Sequence, residues 1–215
     1  MSSVWNKIVG QHKAVERLQQ LAINNVHAFL FIGPEGCGKE DAARAFASVL
    51  ITGSDNENSR EANLITRGAF ADVVEVLREG AAVDKDEAEE IIRLASTTPT
   101  ESNVKVVIIH EVHLMRDSAA ARLLKTIEEP SEKVIFILLA DQLVPSLATI
   151  NSRCVVVNFM RLTNDIISET LCNEGVEQGV AIAAANVAAG NLPRARLLAA
   201  DERLAHRQEA FASVP

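Results

Sequence analysis

The sequence predicts an α/β protein in which helices cover both faces of a parallel sheet, followed by a small all-helical unit. Up to residue 160, short runs that are apolar at every position alternate with amphipathic stretches, whereas only amphipathic stretches follow. Strands that are apolar on both faces are typical of parallel sheets, and the intervening helices supply the crossovers that parallel connections need. The 215 residues, 48% hydrophobic and 23% charged, are enough for one such core and a small appendage.

The first half of the chain begins with an amphipathic helix. Apolar residues at helical spacing predict a helix over residues 12–24, and the apolar run 28–32, ended by Gly33-Pro34, predicts a buried strand that leads into a tight loop. A second helix is predicted from Glu40 and is followed by an exposed polar loop over residues 52–61.

The next predicted elements continue the alternation. Residues 73–76 and 104–109 predict strands on either side of a helix over residues 85–96. Asp117 or Ser118 is a suitable cap for a helix that runs to Glu129 and is stopped by Pro130. Two more apolar runs, at residues 134–139 and 155–159, predict the last strands.

The remainder predicts about three helices. Thr163 is a suitable cap for a helix that ends near Gly175, and a second helix covers residues 180–189 and ends at Gly190-Asn191. Pro193 suits the first turn of a third helix. We therefore expect a core over residues 1–160 and a helical unit over residues 161–202.

Composition and charge argue against several classes of protein. The formal charge of −8 argues against a protein that coats nucleic acid, although a local basic track stays open. No run approaches the roughly 18 apolar residues of a membrane helix, and the first ten residues lack the apolar core of a secretion signal. Three widely spaced cysteines, Cys37, Cys154 and Cys172, suggest a reducing compartment, so we expect a cytoplasmic protein.

The segment Gly33-Pro34-Glu35-Gly36-Cys37-Gly38-Lys39 has the pattern of a phosphate-binding loop (P-loop, Walker A), because it follows a strand and opens a helix. Gly33, Gly36 and Gly38 would let backbone N–H groups wrap an anion, and Lys39 would reach the terminal phosphates. The alternative is a glycine-rich turn that holds no ligand.

The loop departs from the pattern of an active site. Glu40 stands where a Ser or Thr hydroxyl would bind Mg²⁺, and Asp41 and Glu35 add further negative charge. A carboxylate about 4 Å from a phosphate oxygen costs about 4 kcal/mol at a surface-like dielectric, or about a thousandfold in affinity. We expect no bound cofactor, with ATP binding weak or lost, although Glu40 could instead ligate the metal.

A second polar pair, His110-Glu111, ends the strand predicted at 104–109 and should lie at the carboxyl edge of the sheet, beside the P-loop. Many P-loop NTPases have Asp-Glu at this site (Walker B), where the Asp supports Mg²⁺. A neutral imidazole is a poor Mg²⁺ ligand, so we expect no metal here. The alternative is that both side chains simply end the strand in solvent.

Two further segments, Leu123 to Pro130 (LLKTIEEP) and Ser152-Arg153-Cys154, complete a resemblance that covers nearly the whole chain. Together with Ile8-Val9-Gly10-Gln11 and the P-loop, they resemble clamp-loader subunits of the AAA+ class, in particular delta-prime subunits of bacterial DNA polymerase III. The resemblance implies the P-loop NTPase fold, a helical lid over residues 161–202, and a cytoplasmic replication protein.

The resemblance also implies roles for three basic residues. Arg153 corresponds to the arginine finger that enters the ATP site of a neighbouring subunit, and its alternative is an ordinary surface arginine. Lys125 lies on a helix that faces DNA in such loaders, and a solvated lysine is an equal alternative. Arg194 resembles a lid arginine that senses nucleotide.

The expected function is that of a rigid, non-hydrolysing subunit in an open ring with an ATPase motor subunit and a delta subunit. The assembly would open the sliding clamp and place it on primer–template DNA, and no membrane is involved. The alternative is an active ATP-hydrolysing motor subunit of the gamma/tau type.

Two departures from the family affect this expectation. Between residues 38 and 153 there is no cysteine, so the zinc module of some loader subunits is not expected. Residues 203–215 are expected to begin a connector to a collar domain that the sequence does not include, so the chain is either a fragment or assembles differently.

Overall fold

In a computed structural model, residues 2–78, 85–131 and 133–201 are described, and the side chains of residues 85–87 are not. The sheet has five parallel strands in the order β2-β3-β4-β1-β5, so β1 lies between β4 and β5. The strands are β1 Ala28–Ile32, β2 Val73–Val76, β3 Lys105–Ile109, β4 Val134–Ala140 and β5 Val155–Asn158. The parallel α/β prediction is confirmed.

Helices connect the strands and cover both faces of the sheet. They are α1 His12–Leu21, α2 Lys39–Thr52, α3 Arg60–Thr66, α4 Lys85–Ala95, α5 Asp117–Glu128 and the short α6 Ala148–Asn151. Single 3₁₀ turns lie at Val4–Lys7, Val112–Leu114 and Pro145–Leu147. None of the helices in the described parts of the chain is long and apolar enough to cross a bilayer.

Alternation along β1 divides the core into two apolar clusters. Phe29 and Phe31 point to the face covered by α1, α2 and α3, where the ring of Phe46 meets Phe29 edge to face at 4.9 Å between centroids. Leu30 points to the opposite face and packs with residues of α4 and α5. Burial of each such side chain contributes about 1.5–3 kcal/mol, so β1 is held firmly at the centre of the sheet.

The last three helices form a unit of their own: α7 Asn164–Asn173, α8 Gln178–Ala188 and α9 Leu192–Ala199. Their small apolar cluster includes Ile167, Leu171 and Ala184. As predicted, Thr163 caps α7 by accepting a hydrogen bond from the N–H of Ile166, and Pro193 lies in the first turn of α9. We call α7 to α9 the three-helix unit.

Several boundaries differ from the sequence predictions. Residues 60–66, placed partly in the predicted polar loop, form α3, which Ser59 caps by accepting from the N–H of Ala62. α2 begins at Lys39 rather than Glu40, and α5 is preceded by Arg116 rather than by a side-chain cap at Asp117 or Ser118. The last predicted lid residue, Glu202, and the predicted connector 203–215 lie outside the described residues.

Candidate functional site

The P-loop follows the carboxyl end of β1 and leads into α2 as predicted. A Cβ atom on Gly33 would lie 2.6 Å from Cβ of Phe159, so this position has no room for a side chain. Gly38 has φ of +93° with no atom within 4 Å of an added Cβ, so backbone conformation rather than space favours glycine there. The described loop therefore has the glycine-dependent turns of a P-loop.

Lys39, the predicted phosphate ligand, is held by carboxylates of its own chain. Its residue surface is 2% exposed, and its Nζ lies 2.7 Å from Oδ1 of Asp141 and 3.0 Å from Oε1 of Glu40. Nζ also donates to the carbonyl oxygen of Pro34 at 3.4 Å. Burial alone would lower the pKa of Lys39, but the hydrogen bond to Asp141 and the charge of Glu40 outweigh it, so the pKa lies above its ordinary value.

Asp141 is placed by the strand next to β1. It directly follows β4, and the N–H of Gly33 donates to the carbonyl oxygen of Ala140, which joins the ends of the two strands. The Asp141 N–H donates to Nδ1 of His113 at 3.2 Å, while Oδ2 lies 3.7 Å from Nε2 of the same ring. Asp141 was not predicted from the sequence, because its approach to Lys39 depends on β4 lying beside β1.

The three-helix unit closes over the middle of the P-loop. The N–H of Leu192 donates to the carbonyl oxygen of Gly36, and a Cβ atom on Gly36 would lie 2.2 Å from Cγ of Asn191. Gln11, 3% exposed, donates to the carbonyl oxygens of Cys37 and Met160 and accepts from the Met160 N–H. The loop is therefore tied both to the three-helix unit and to the segment that leads into it.

A cavity of roughly 360 Å³ lies between the P-loop and the three-helix unit. Its lining includes Gly36, Glu40, Arg44 and Arg196 but not Lys39, whose ammonium group donates to Asp141. The predicted lid arginine, Arg194, does not line this cavity. Arg196 lines the cavity instead, and its Nη2 lies 2.6 Å from Oε1 of Glu174.

The residues that line the cavity include acidic, basic and uncharged ones. They are Lys7, Val9, Glu35, Gly36, Cys37, Gly38, Glu40, Asp41, Arg44, Leu162, Asn191, Leu192, Pro193 and Arg196.

His110 is paired with a carboxylate and is largely shielded from solvent. Its ring Nε2 lies 3.2 Å from Oε2 of Glu75 on β2, and its side chain is 11% exposed. Arg44 of α2 holds the same carboxylate with Nε at 2.7 Å and Nη2 at 2.8 Å. Burial would raise the pKa of Glu75, but the bonds from His110 and Arg44 lower it to about 2.

Glu111, the second residue of this pair, is engaged by an arginine. Nε of Arg78 donates to Oε2 of Glu111 at 3.1 Å, and Nη2 donates to Oε1 at 3.4 Å. Glu111 has φ of +51°, an uncommon left-handed backbone for a residue other than glycine. Because β4 lies between β3 and β1, His110 and Glu111 follow a strand that is two positions away from the strand that leads into the P-loop.

Arg153 lies at the amino ends of the strands, opposite the carboxyl ends where the P-loop lies. It precedes β5 by two residues, and the first residue of that strand, Val155, pairs with Phe29 near the start of β1. The five residues of β1 span about 16 Å, so Arg153 lies far from its own P-loop. The structure thus brings the predicted P-loop residues together and separates Arg153 from them.

The guanidinium of Arg153 donates through Nε and Nη1. Nε donates to Oε1 of Glu128 at the end of α5, and Nη1 donates to the Thr149 carbonyl oxygen at 3.1 Å and to Ser152 Oγ at 3.0 Å. The side chain is 40% exposed, so it is accessible from solvent. Glu128 was not predicted, although it lies in the same LLKTIEEP segment.

Lys125 is exposed on α5, which both a contact with DNA and a solvated surface lysine require.

Over residues 2–78, 85–131 and 133–201, no group of three His, Cys, Asp or Glu side chains is arranged to hold a metal ion.

Comparisons with known proteins place this geometry in a family. A family model described as "DNA polymerase III, delta subunit" matches residues 10–163. The tau subunit of Bacillus subtilis DNA polymerase III is 36% identical over 173 residues, which cover 76% of this chain and 30% of that protein. The delta' subunit of the same organism is 32% identical over 181 residues, covering 80% of this chain and 55% of that protein. The chain thus spans about half the length of the delta' relative and less of tau.

Solved structures resemble the chain in fold. A gamma subunit-related protein of DNA polymerase III from Thermotoga maritima has a TM-score of 0.57 at 20% identity, covering 94% of this chain and 63% of that one. A point variant of RuvB from the same organism has a TM-score of 0.60 at 16% identity, covering 92% of this chain and 63% of that one. With the five-stranded parallel sheet, these likenesses confirm the P-loop NTPase fold of the AAA+ class.

The family match covers the P-loop, the His110-Glu111 pair and Arg153 in one continuous stretch. The chain therefore belongs to the DNA polymerase III delta-subunit family of clamp-loader proteins.

Proposed function

We propose that this chain is a non-hydrolysing, delta-prime-like clamp-loader subunit that donates Arg153 to the nucleotide site of a neighbouring ATPase subunit. The observation that carries the proposal is the placement of Arg153, exposed and at the edge of the sheet opposite its own P-loop. A residue so placed reaches a nucleotide only on another subunit. Head-to-tail contacts have this geometry, because one face donates what the other receives.

The P-loop supports the non-hydrolysing part of the proposal. The residues present do not fit a bound Mg-triphosphate, since the Lys39 ammonium is held by Asp141 and Glu40 and Lys39 does not line the cavity. Glu40 takes the position of the Mg²⁺-binding hydroxyl, and His110 is bonded to Glu75. No step of ATP hydrolysis is therefore assigned to this chain.

The proposed role in replication follows from the family. An ATPase motor subunit and a delta subunit would be the direct partners, and the sliding clamp and primer–template DNA would be contacted through the assembly, in the cytoplasm. We keep the division into a core up to residue 160 and a lid from residue 161, which the separate apolar cluster of the three-helix unit supports.

The test is the ATPase rate of a loader reconstituted from this chain, a motor subunit and a delta subunit of the same organism. Arg153→Ala should lower kcat about a thousandfold or more at the site it serves, the usual effect of losing an arginine finger. Arg60→Ala is the matched control, because Arg60 is another exposed arginine paired with an exposed glutamate, Glu101, and should leave the rate unchanged. An unchanged rate with Arg153→Ala would leave a scaffold without a contribution in trans.

A second candidate is an active motor subunit of the gamma/tau type. It is favoured by the 36% identity to a tau subunit, which exceeds the 32% identity to delta'. Isothermal titration of the chain with Mg-ATP separates the two candidates. Micromolar binding that Lys39→Ala abolishes would favour the motor, whereas the proposed function predicts no such binding.

A further inference from the structure

The hydrogen-bonding capacity of the Lys39 ammonium group is filled by oxygen atoms of its own chain. Three oxygen atoms lie within 3.4 Å of Nζ, from Asp141, Glu40 and Pro34, and an ammonium group has three N–H bonds to donate. Two of the three acceptors are carboxylates, so the group is satisfied in hydrogen bonding and overcompensated in charge. A phosphate oxygen could bind Nζ only by displacing one of these partners.

The backbone that carries the Asp141 side chain is also held in place. It is fixed by the bond from the Asp141 N–H to His113 and by the Gly33–Ala140 bond between the ends of β1 and β4. An anion that is positioned in advance loses little freedom when it pairs with Lys39, whereas a nucleotide loses its translational and rotational freedom on binding. The smaller loss of entropy therefore favours pairing of Lys39 with Asp141 over binding of a nucleotide phosphate.

We propose that Asp141, assisted by Glu40, acts as an internal anion that takes the place of nucleotide phosphate on Lys39 and so blocks this P-loop. The inference rests on the proposed loss of nucleotide binding and supplies its cause. Loss of the Mg²⁺-binding hydroxyl alone would weaken a metal contact. The Asp141 pair occupies the one lysine of the loop, because Lys39 is buried, does not line the cavity and donates to Asp141.

The general negative charge of the loop is a competing explanation, and Glu35 allows the two to be separated. Glu35 lines the same cavity and is exposed, but it is not among the groups that contact Lys39. If charge alone repels nucleotide, Glu35→Gln should help as much as a change at Asp141. If the internal pair is responsible, only changes at Asp141 and Glu40 should help.

The experiment is an isothermal titration of the full chain with Mg-ATP, for the native sequence and for Asp141→Asn, Glu40→Gln and Glu35→Gln. We expect about a 10- to 100-fold gain in affinity for Asp141→Asn, a smaller gain for Glu40→Gln and no gain for Glu35→Gln. Lys39→Ala added to Asp141→Asn should remove the gain, because the freed ammonium is what binds the phosphate. Circular dichroism and a thermal melt confirm that each variant is folded.

The possible failures differ from one another. Micromolar binding by the native chain would overturn the proposed function itself. Weak native binding that neither Asp141→Asn nor Glu40→Gln improves, or that Glu35→Gln improves equally, would overturn the internal-anion proposal and leave the function standing. Glu40 is one-third exposed at the start of α2, so its variant gives a result even where Asp141→Asn does not fold.

Discussion

Lys39 and Arg153 are both cations paired with carboxylates, and they lie at opposite edges of the same sheet. Lys39 is 2% exposed and has two carboxylate partners, one of them fixed by a neighbouring strand. Arg153 has a side chain that is 40% exposed and one carboxylate partner, Glu128, whose side chain is 41% exposed. Similar ion pairs thus occur in very different environments.

The difference in burial decides which cation is available to a ligand. An exposed pair contributes roughly 0–1 kcal/mol and exchanges partners readily, whereas breaking a buried pair by removing one partner costs about 3–5 kcal/mol. Arg153 can therefore leave Glu128 for a phosphate on another subunit at little cost. Lys39 cannot leave its partners without leaving two partly buried carboxylates close together, so Arg153 is available to a ligand and Lys39 is not.

The largest effect that would sharpen this comparison concerns the geometry of the exposed cation. Arg153→Lys keeps the charge but loses the planar, bidentate guanidinium, so the reconstituted loader should lose about 100-fold in kcat, or about 2.7 kcal/mol. Steady-state ATPase rates measure this. A rate equal to that of the native assembly would mean that Arg153 contributes charge alone and would break the comparison.

The stability of the two pairs should differ next. Lys39→Met removes the ammonium and leaves Asp141 and Glu40 close together, so we expect a loss of about 2 kcal/mol, less than for a fully buried pair because both carboxylates are one-third exposed. Arg153→Ala should cost less than about 0.5 kcal/mol. Urea denaturation of both variants checks the order, and equal losses would contradict the role given to burial.

A pH dependence is expected at the P-loop edge of the sheet. The pKa of Glu75 is about 2, below its ordinary value of 4.5, so its contribution to stability is present above about pH 4.5 and is lost as the pH falls toward 2. Glu75→Gln should therefore cost about 1–2 kcal/mol at pH 7 and progressively less below about pH 4. Urea melts of both proteins at a series of pH values measure this, and a cost that does not change with pH would exclude the linkage.

The smallest effect is expected at Glu128. Its removal leaves Arg153 bonded to the Thr149 carbonyl oxygen and to Ser152 Oγ, so Glu128→Ala should change the loader ATPase rate by less than about threefold. The neighbouring exposed Glu129 gives the matched control, Glu129→Ala. A large loss specific to Glu128→Ala would show that this carboxylate, rather than the local backbone, orients the finger.

Local patterns were sufficient for most of the fold. The apolar run 28–32, the glycine loop and Lys39 follow from residues close together in the sequence, so they were predicted with small errors at their ends. α3 was missed because its seven residues bury only Ala62 and Ile65, which is too few to show helical periodicity.

The residues that were missed at the site depend on contacts distant in sequence. Asp141 is 102 residues from Lys39, and Glu75 is 31 residues from Arg44. Their contacts follow from the order of the strands and from side-chain packing, neither of which a single sequence contains. Arg153 was found through a family resemblance, whereas its pairing with Glu128 required the structure.

The amide side chain of Gln11 has a mechanical consequence for the whole molecule. It joins the P-loop backbone at Cys37 to Met160, and Met160 immediately precedes the passage into the three-helix unit. A swing of that unit about residue 160 would have to break the bond from the Leu192 N–H to the Gly36 carbonyl oxygen, while the Gln11 bridge keeps residue 160 beside the loop. Replacement by glutamate would remove the amide donor, so the start of the unit would then be held to the loop by fewer bonds.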